Sequence, residues 1–366
     1  MKKTQWNLTR RDFTKSLALA GAGATLGLPA SSQETSATIP KKNIKLGIDN
    51  FAVRAMNWKA AELIDYAVSL KTDSLFITDL KPFENFSDSY LKDLKAKAAN
   101  QGLQIQLGSW SICPTSKAFK KDWGTAEEHL SLGIRAAKAL GSPVFRVVLG
   151  TREDRATEGG IEARIADTVK VLKAKRSEAI DAGVKIAVEN HAGDMQAWEL
   201  VTLIEAAGKD YVGVNLDSGN AAWTLEDPLE SLEILGPYTL TTSLREDMIW
   251  ETENGAKVQW TAMGEGGLDL KKYFTRFAEL CPGVPVHIET ISGFAVEFPY
   301  LKPEFWKIWP KARAKDFAKF VALAKRGKPL QPHRSADAKA EQEYQKGEIE
   351  RSIKFCKEGL GLGLKA

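Results

Sequence analysis

Cysteine is scarce, long apolar runs are missing, and no glycine-rich phosphate turn follows the first strand-like run. The three cysteines, Cys113, Cys281 and Cys356, are odd in number and far apart. They make neither a disulfide framework nor a CxxC knuckle for a thiolate-bound metal, and read as separate packed or surface thiols. The longest small-residue and apolar stretch, Ser16 to Leu28, is too short to stay in a bilayer as an anchor. Gly47-Ile48-Asp49-Asn50-Phe51 lacks the spacing of a dinucleotide-binding turn, which argues against a doubly wound open sheet. Internal repeats are absent too. An excess of one charge is missing from the chain as a whole, since 51 Lys/Arg stand against 47 Asp/Glu.

What is present divides by charge. Residues 1–30 hold five Lys/Arg and one Asp, residues 302–366 are net +8, and the body between them, residues 31–301, is net −8. An acidic body excludes a nucleic-acid footprint, which needs basic residues, and suits a cation site. Thr9-Arg10-Arg11-Asp12-Phe13-Thr14-Lys15 followed by the Ala/Gly/Leu run resembles a twin-arginine signal. It implies a periplasmic protein exported folded by the twin-arginine machinery, with no stable membrane anchor. Leu28-Pro29-Ala30 is a plausible cleavage site, and residues 31–43 read as a linker.

From Ile44 the pattern is strand, helix, strand, helix. Apolar runs fall at Ile44–Ile48, Ser74–Thr78, Gln104–Gly108, Val144–Leu149, Val184–Val188, Val212–Leu216, Tyr238–Leu244 and Val284–Ile288. Amphipathic segments separate them, among them Ile161–Ala182. Gly102, Gly141, Gly183, Gly208 and Gly236 stand where left-handed helix ends are expected. Eight strands with seven helices over about 250 residues predict an α/β fold, a (β/α)8 TIM barrel, over residues 44–301. Residues 302–366 predict a basic, aromatic, helical C-terminal extension with helices at Ala312–Arg326 and Ala336–Glu358. The apolar positions Phe317, Phe320, Val321 and Ala324 suit packing on the barrel.

The chain is organised around residues 184–220. Two short β-branched runs stop on acids, the first at Glu189-Asn190-His191 and the second at Asp217-Ser218-Gly219-Asn220. Barrel active sites lie at the C-terminal ends of the strands. Those ends carry Glu189 on strand five, Asp217 on six, Ser243 on seven and Glu289 on eight. Three adjacent carboxylates repel one another unless a cation or Lys/Arg partners neutralise them. Oxygen donors suit Mn²⁺, Mg²⁺ or Co²⁺ better than Zn²⁺.

Val188-Glu189-Asn190-His191, Val212 to Asn220, Gly264-Glu265-Gly266-Gly267-Leu268-Asp269 and His287-Ile288-Glu289, in this order, resemble the xylose-isomerase-like TIM-barrel superfamily, the sugar phosphate isomerase/epimerase type. The resemblance covers Ile44 to Gly293. It implies one divalent cation held by Glu189, Asp217, the strand-seven position and Glu289, with Glu189 and Glu289 exchanging a substrate proton. At strand seven the family has His-Leu-Lys-Asp, whereas this chain has Ser243-Leu244-Arg245-Glu246-Asp247. A serine hydroxyl is a poor ligand, so either three carboxylates and water hold the ion or Glu246 or Asp247 reaches in.

Such a site implies a sugar or keto-sugar isomerase or epimerase working through a metal-stabilised enediolate. Loss of a β-hydroxyl from the same intermediate would make it a lyase or dehydratase, and decay of the site would leave a sugar-binding barrel. The four histidines are too few for the multi-zinc centre of an apurinic-endonuclease relative, and only His191 lies near a strand end. His191, Arg245, Asn220, Trp110 and Trp250 are candidate substrate contacts, with Trp223 a further aromatic at a strand end. His287, two residues before Glu289, points inward one layer lower and reads as a core histidine with Asn215 as its partner. The expected partner is a small carbohydrate, and a homo-oligomer is compatible with the tail.

Overall fold

The computed structural model describes residues 42–365. The expected export signal, its cleavage point and most of the linker lie outside the described residues. Eight parallel strands form the barrel: β1 (Leu46–Asp49), β2 (Ser74–Ile77), β3 (Gln104–Ser111), β4 (Val144–Val148), β5 (Lys185–Glu189), β6 (Val212–Leu216), β7 (Thr239–Thr242) and β10 (Val286–Ile288). They run in the order β10-β1-β2-β3-β4-β5-β6-β7. The ring closes through a parallel bridge between Leu244 and Ile288, where Leu244 N donates to His287 O (2.7 Å) and Glu289 N to Leu244 O (2.9 Å). Closure thus occurs beside Ser243, Arg245 and Glu289. These strands are short and buried on both faces, as parallel strands covered by helices must be.

The helices are α1 (Ala60–Ser69), α2 (Asp88–Asn100), α3 (Ala126–Leu140), α4 (Gly160–Ala174), α5 (Arg176–Ala182), α6 (Ala197–Ala207), α7 (Ser218–Trp223), α8 (Pro228–Leu235), α9 (Leu270–Leu280), α10 (Ala314–Ala324) and α11 (Ala338–Leu360). The long helix expected over 161–182 is two helices, because Lys175 leaves helical dihedrals (φ −108°, ψ 10°). Gly102, Gly141 and Gly183 take the expected left-handed conformation, whereas Gly236 (φ −50°) does not, since the chain enters a 3₁₀ turn, Gly236–Tyr238. That turn, with Pro237 lacking an N–H, also delays the start of β7.

Two features were not anticipated. After β7 the chain leaves the barrel as a hairpin, β8 (Glu246–Thr252) and β9 (Gly255–Thr261), which β11 (Ala295–Phe298) joins as a three-stranded antiparallel sheet. Phe320, Leu323 and Ala324 of α10 pack on this sheet with Val258, Phe298 and Trp309 as a second small core. Second, α11 packs against β1, β10 and α9. Its Ile349, Ile353, Cys356 and Leu360 belong to the main barrel core. The chain beyond it is tied down by Gly363 N to Ile44 O (2.9 Å) and Leu364 N to Asp73 Oδ2 (2.9 Å). The C-terminal segment is helical as expected, but α11 is the barrel's eighth helix, so the core extends past the boundary expected at residue 301. No helix among the described residues is long and apolar enough to cross a membrane. All three cysteines are buried and unpaired.

If α11 is integral, Ile353→Ala should cost about 2–5 kcal/mol, as large-to-small core changes do. Urea denaturation would show this as a lowered midpoint with an unchanged slope, whereas an appended helix would leave the midpoint within about 0.5 kcal/mol of the parent.

Candidate active site

The strand ends open into a cavity of about 440 Å³. Its walls are largely aromatic: Phe51, Trp110, Trp123, Trp260 and Phe294. Its floor is polar: Arg146, Glu189, His191, Asn220, Arg245 and Glu289. The dimensions suit a small organic ligand. Asp49, Asn215, Asp217 and Ser243 lie just beneath, fully buried.

Glu189 ends β5 with both oxygens engaged. Oε2 accepts from Arg146 Nε (2.6 Å) and Asn215 Nδ2 (2.7 Å), and also pairs with Arg146 Nη2 (2.5 Å). Oε1 accepts from Asn220 Nδ2 (3.2 Å). Asp217 caps α7, its Oδ1 accepting from Gly219 N (2.8 Å) and Asn220 N (3.1 Å). Its Oδ2 accepts from Asn220 Nδ2 (2.8 Å) and from Arg245 Nη2. The same Nη2 donates to Glu289 Oε2. The guanidinium of Arg245 therefore bridges two of the three expected metal ligands, while Arg146 neutralises the third. Glu289 Oε1 and Arg245 Nη1 have no partner among the described residues.

Ser243 is committed elsewhere. It accepts from Asn215 Nδ2 (3.2 Å) and donates to Asp49 Oδ2 (2.8 Å), whose Oδ1 accepts from Phe51 N (2.9 Å) and Thr78 Oγ1 (2.8 Å). Glu246 does not reach in, because it accepts from the backbone N–H groups of Gly264 (2.7 Å) and Leu268 (3.1 Å). Asp247 pairs with Trp260 across the hairpin and shares its face. Both its carboxyl oxygens are buried with no hydrogen-bond partner among the described residues, and burial and then Asp217 raise its proton affinity against the pull of Arg245.

The environments set the charges apart. Burial alone would raise Glu189, but Arg146, His191 and Arg245 together hold it below the usual carboxylate range. Burial pushes Asp217 up to about 7 against the pull of Arg245, and pushes Glu289 well above its ordinary value. Burial would also lower Arg245, yet Asp217, Glu289 and Glu189 hold it above its ordinary value. His191 Nδ1 lies 2.7 Å from the carbonyl of Gly150, so it carries the proton and leaves Nε2 with a lone pair and no protein partner. Burial depresses this imidazole and keeps it neutral. Its ring meets Trp110 edge-on, centroids 5.2 Å apart.

Of the expected residues, Glu189, Glu289, His191, Arg245, Asn220 and Trp110 meet at the cavity, with Asp217 and Ser243 directly below. Trp250 does not. It sits opposite Lys257 in the hairpin, whereas Trp260 pairs with Asp247, and the two-residue period of a strand puts Trp250 and Trp260 on opposite faces. Trp260 lines the cavity, with Trp223 stacked on it at 4.6 Å. His287 is a core histidine, but its partners are Ser74 Oγ (3.0 Å from Nε2) and the Thr242 carbonyl (3.2 Å from Nδ1). Asn215 instead serves Glu189 and Ser243. Several site residues escaped the sequence reading, among them Asp49, Arg146, His129 and Trp260. Arg146 had a signal, an arginine inside the buried run Val144-Phe145-Arg146-Val147-Val148.

The donor set does not fit a divalent cation in this arrangement. Asp217 and Glu289 share one guanidinium nitrogen, Glu189 is saturated, and Ser243 is bound to Asp49. No group of three His, Cys, Asp or Glu side chains among the described residues converges as a metal site.

Comparison with known proteins agrees with the fold. The xylose isomerase-like TIM barrel family matches residues 51–302. This chain belongs to that family. A curated relative, the 3-oxo-isoapionate decarboxylase of Pectobacterium atrosepticum, is 20% identical over 195 residues, 53% of this chain and 63% of that protein. Less than two-thirds of that relative is therefore matched. Among solved structures, D-psicose 3-epimerase in the presence of D-fructose superposes with a TM-score of 0.57 at 14% identity, covering 87% of this chain and all of that one. The IOLI protein with a bound zinc atom superposes at 0.52 and 18% identity, covering 78% of this chain and all of that one. At these identities the likeness establishes the barrel alone.

Burial holds His287 down at about 3. A folded value below the unfolded value of about 6.5 means that the unfolded chain binds the extra proton, so stability is lost as pH falls from about 6.5 toward about 3. The loss should approach about 1.4 kcal/mol per pH unit for this residue. Urea melts at pH 7 and pH 5 should show a smaller drop in His287→Gln than in the parent.

Proposed function

We propose that this chain is a carbohydrate-modifying enzyme that moves a proton on the carbon next to a carbonyl, as an isomerase or epimerase acting on a sugar or keto-sugar. One observation carries the reading. An aromatic-walled cavity at the strand ends brings together Glu289, whose proton affinity burial drives well above the ordinary range, Glu189, whose proton affinity Arg146 holds below it despite burial, and His191, whose imidazole burial makes less basic. Groups whose surroundings drive their proton affinities apart in one site are the signature of an acid and a base. The names of the family's sugar epimerases and of the decarboxylase are in keeping with it.

The free atoms suggest the roles. His191 Nε2 and Glu289 Oε1 are two proton-transfer atoms on the cavity floor with no protein partner among the described residues. Glu189, saturated by Arg146, Asn215 and Asn220, is a weaker base than the sequence alone implied. It acts as the fixed anion that orients these three and steadies an imidazolium at His191. A carbonyl oxygen at Arg245 Nη1 would become an enediolate oxygen as His191 takes the neighbouring carbon-bound proton. Return of a proton from Glu289 to the other face gives the epimer, and return to the former carbonyl carbon, with the neighbouring hydroxyl's proton passing to the former carbonyl oxygen, gives the isomer. The aromatic walls would cover the apolar faces of a sugar. A second reading, loss of a β-hydroxyl, is favoured by the raised proton affinity of Glu289, which suits protonation of a leaving hydroxyl. The twin-arginine-like segment supports a periplasmic setting, in which free sugars and keto-glycosides are more plausible substrates than sugar phosphates.

The test is proton exchange in D₂O, followed by NMR, over free sugars, 3-keto-sugars and keto-glycosides. Deuterium should enter the carbon adjacent to a carbonyl in at least one of them. Glu289→Gln and His191→Gln should each slow this by about 100- to 10,000-fold, the usual worth of a positioned acid or base. Binding of sugars without exchange in any of them would leave a sugar-binding barrel in place of an enzyme.

A further inference from the structure

We propose that the guanidinium of Arg245 takes the place of the divalent cation in this barrel, so that the site works with a built-in, non-exchangeable positive charge. The position is constructed, not incidental. Arg245 Nη2 donates to both Asp217 Oδ2 and Glu289 Oε2, two carboxylates that a cation would otherwise bring together. The backbone of Arg245 is held from both sides by Ser218, whose Oγ donates to Arg245 O (2.5 Å) and accepts from Arg245 N (3.2 Å). The side chain runs through a slot that only glycine leaves open, since a Cβ on Gly219 would lie 2.3 Å from Arg245 Cγ and 2.8 Å from Cδ. The indole of Trp260 closes the slot, 4.3 Å from the guanidinium carbon, and its Nε1 donates to Gly219 O (3.0 Å). Arg245 is 2% exposed.

The sequence supports this independently. Strand seven carries Ser243 where a nitrogen ligand would stand, and Ser243 is spent on Asn215 and Asp49. Arg245 lies two residues further, where the resembled family carries Lys. Arginine suits the task because its charge cannot be titrated away, its hydration is weak, and its planar fork binds two oxygens at once. With Nη2 fixed by the two acids, Nη1 of this cavity-lining arginine has no protein partner among the described residues and is left as a hydrogen-bond donor for an oxyanion. The occupation of the cation's place stands on geometry alone. The role of Nη1 toward substrate rests on the proton-transfer reading above.

The experiment separates the two. Full-length protein purified without chelator is assayed for Mn, Mg, Co, Fe and Zn by elemental analysis, and its melting temperature is followed with EDTA and with added Mn²⁺ or Zn²⁺. The expected result is well under one ion per chain and no shift with either treatment. In Arg245→Ala and Arg245→Met the two acids lose their cation, so added Mn²⁺ should raise the melting temperature by at least about 2 °C, a shift absent from the parent. About one ion per chain in the parent, removed by EDTA with a fall in melting temperature, would overturn the proposal whether or not the variants fold. On a substrate that exchanges deuterium, Arg245→Ala should slow exchange by about 100- to 1,000-fold, and added guanidinium should restore part of it. Undiminished exchange in that variant would overturn the role of Nη1. Exchange in no substrate would instead defeat the proton-transfer reading and leave the metal result standing.

Discussion

Four buried carboxylates, Asp49, Glu189, Asp217 and Glu289, line or underlie one cavity in a medium of low polarity, and the groups around them answer that constraint. Unpaired buried charges are far too costly to keep, so each must find a counter-charge, a set of donors, or a proton. Glu189 takes Arg146, Asp217 and Glu289 share Arg245, and Asp49 takes two hydroxyls and an N–H. Two guanidinium groups face four acids, so counter-charge is shared unequally among them. Hence Glu289 is held well above its ordinary value while Glu189 is held below. The split that makes the site look like an acid and a base is thus a consequence of unequal counter-charge within one cluster.

The barrel and three of its acids were legible because the signals were local. A β-branched run that stops on Glu or Asp is visible in ten residues, and the order of three such runs, with Gly264 to Asp269 between the second and third, reports the architecture. Arg146 was harder because a charged residue inside a buried strand contradicts the strand's own pattern and makes sense only once Glu189 is known to sit beside it. Asp49 was read only for the turn it fails to make. The hairpin Glu246–Thr261 was hidden because Arg245, Glu246 and Asp247 follow strand seven so closely that they read as its end. Trp250 was chosen over Trp260 for the same reason, since nearness to a strand end says nothing of which face of a following hairpin turns inward. The place of α11 depends on contacts nearly 300 residues apart in sequence, such as Ala55 N to Gln345 Oε1 (2.9 Å), which no local pattern encodes.

The hairpin is also what gives the cavity its wall. Trp260 is held between Trp223 behind it and the guanidinium of Arg245 in front, with Phe294 edge-on at 5.5 Å. The second core beneath, built from Phe298, Trp309 and Phe320, anchors the sheet that carries Trp260. Glu246, fully turned to the backbone N–H groups of the following loop, fixes the hairpin's base against the barrel. The aromatic tail beyond residue 301 therefore contributes to the site at one remove, by holding up the sheet on which the wall stands.

Replacing a divalent ion by a guanidinium changes what chemistry the cluster can support. The charge is halved and cannot act as a Lewis acid, so the drop in proton affinity of a substrate's neighbouring carbon is smaller than a metal would give. The fork geometry partly compensates, since donors can follow an oxygen through the change from carbonyl to enediolate without reorganising. The net effect favours substrates whose carbon-bound proton is already acidic. A ketone flanked by hydroxyl-bearing carbons, as in a keto-sugar, meets that condition better than an unactivated alcohol or a closed-ring aldose. Ser243, spent on Asn215 and Asp49, and Arg245, threaded through the slot at Gly219 onto Asp217 and Glu289, then act together, since the first offers no ligand where the second offers a charge.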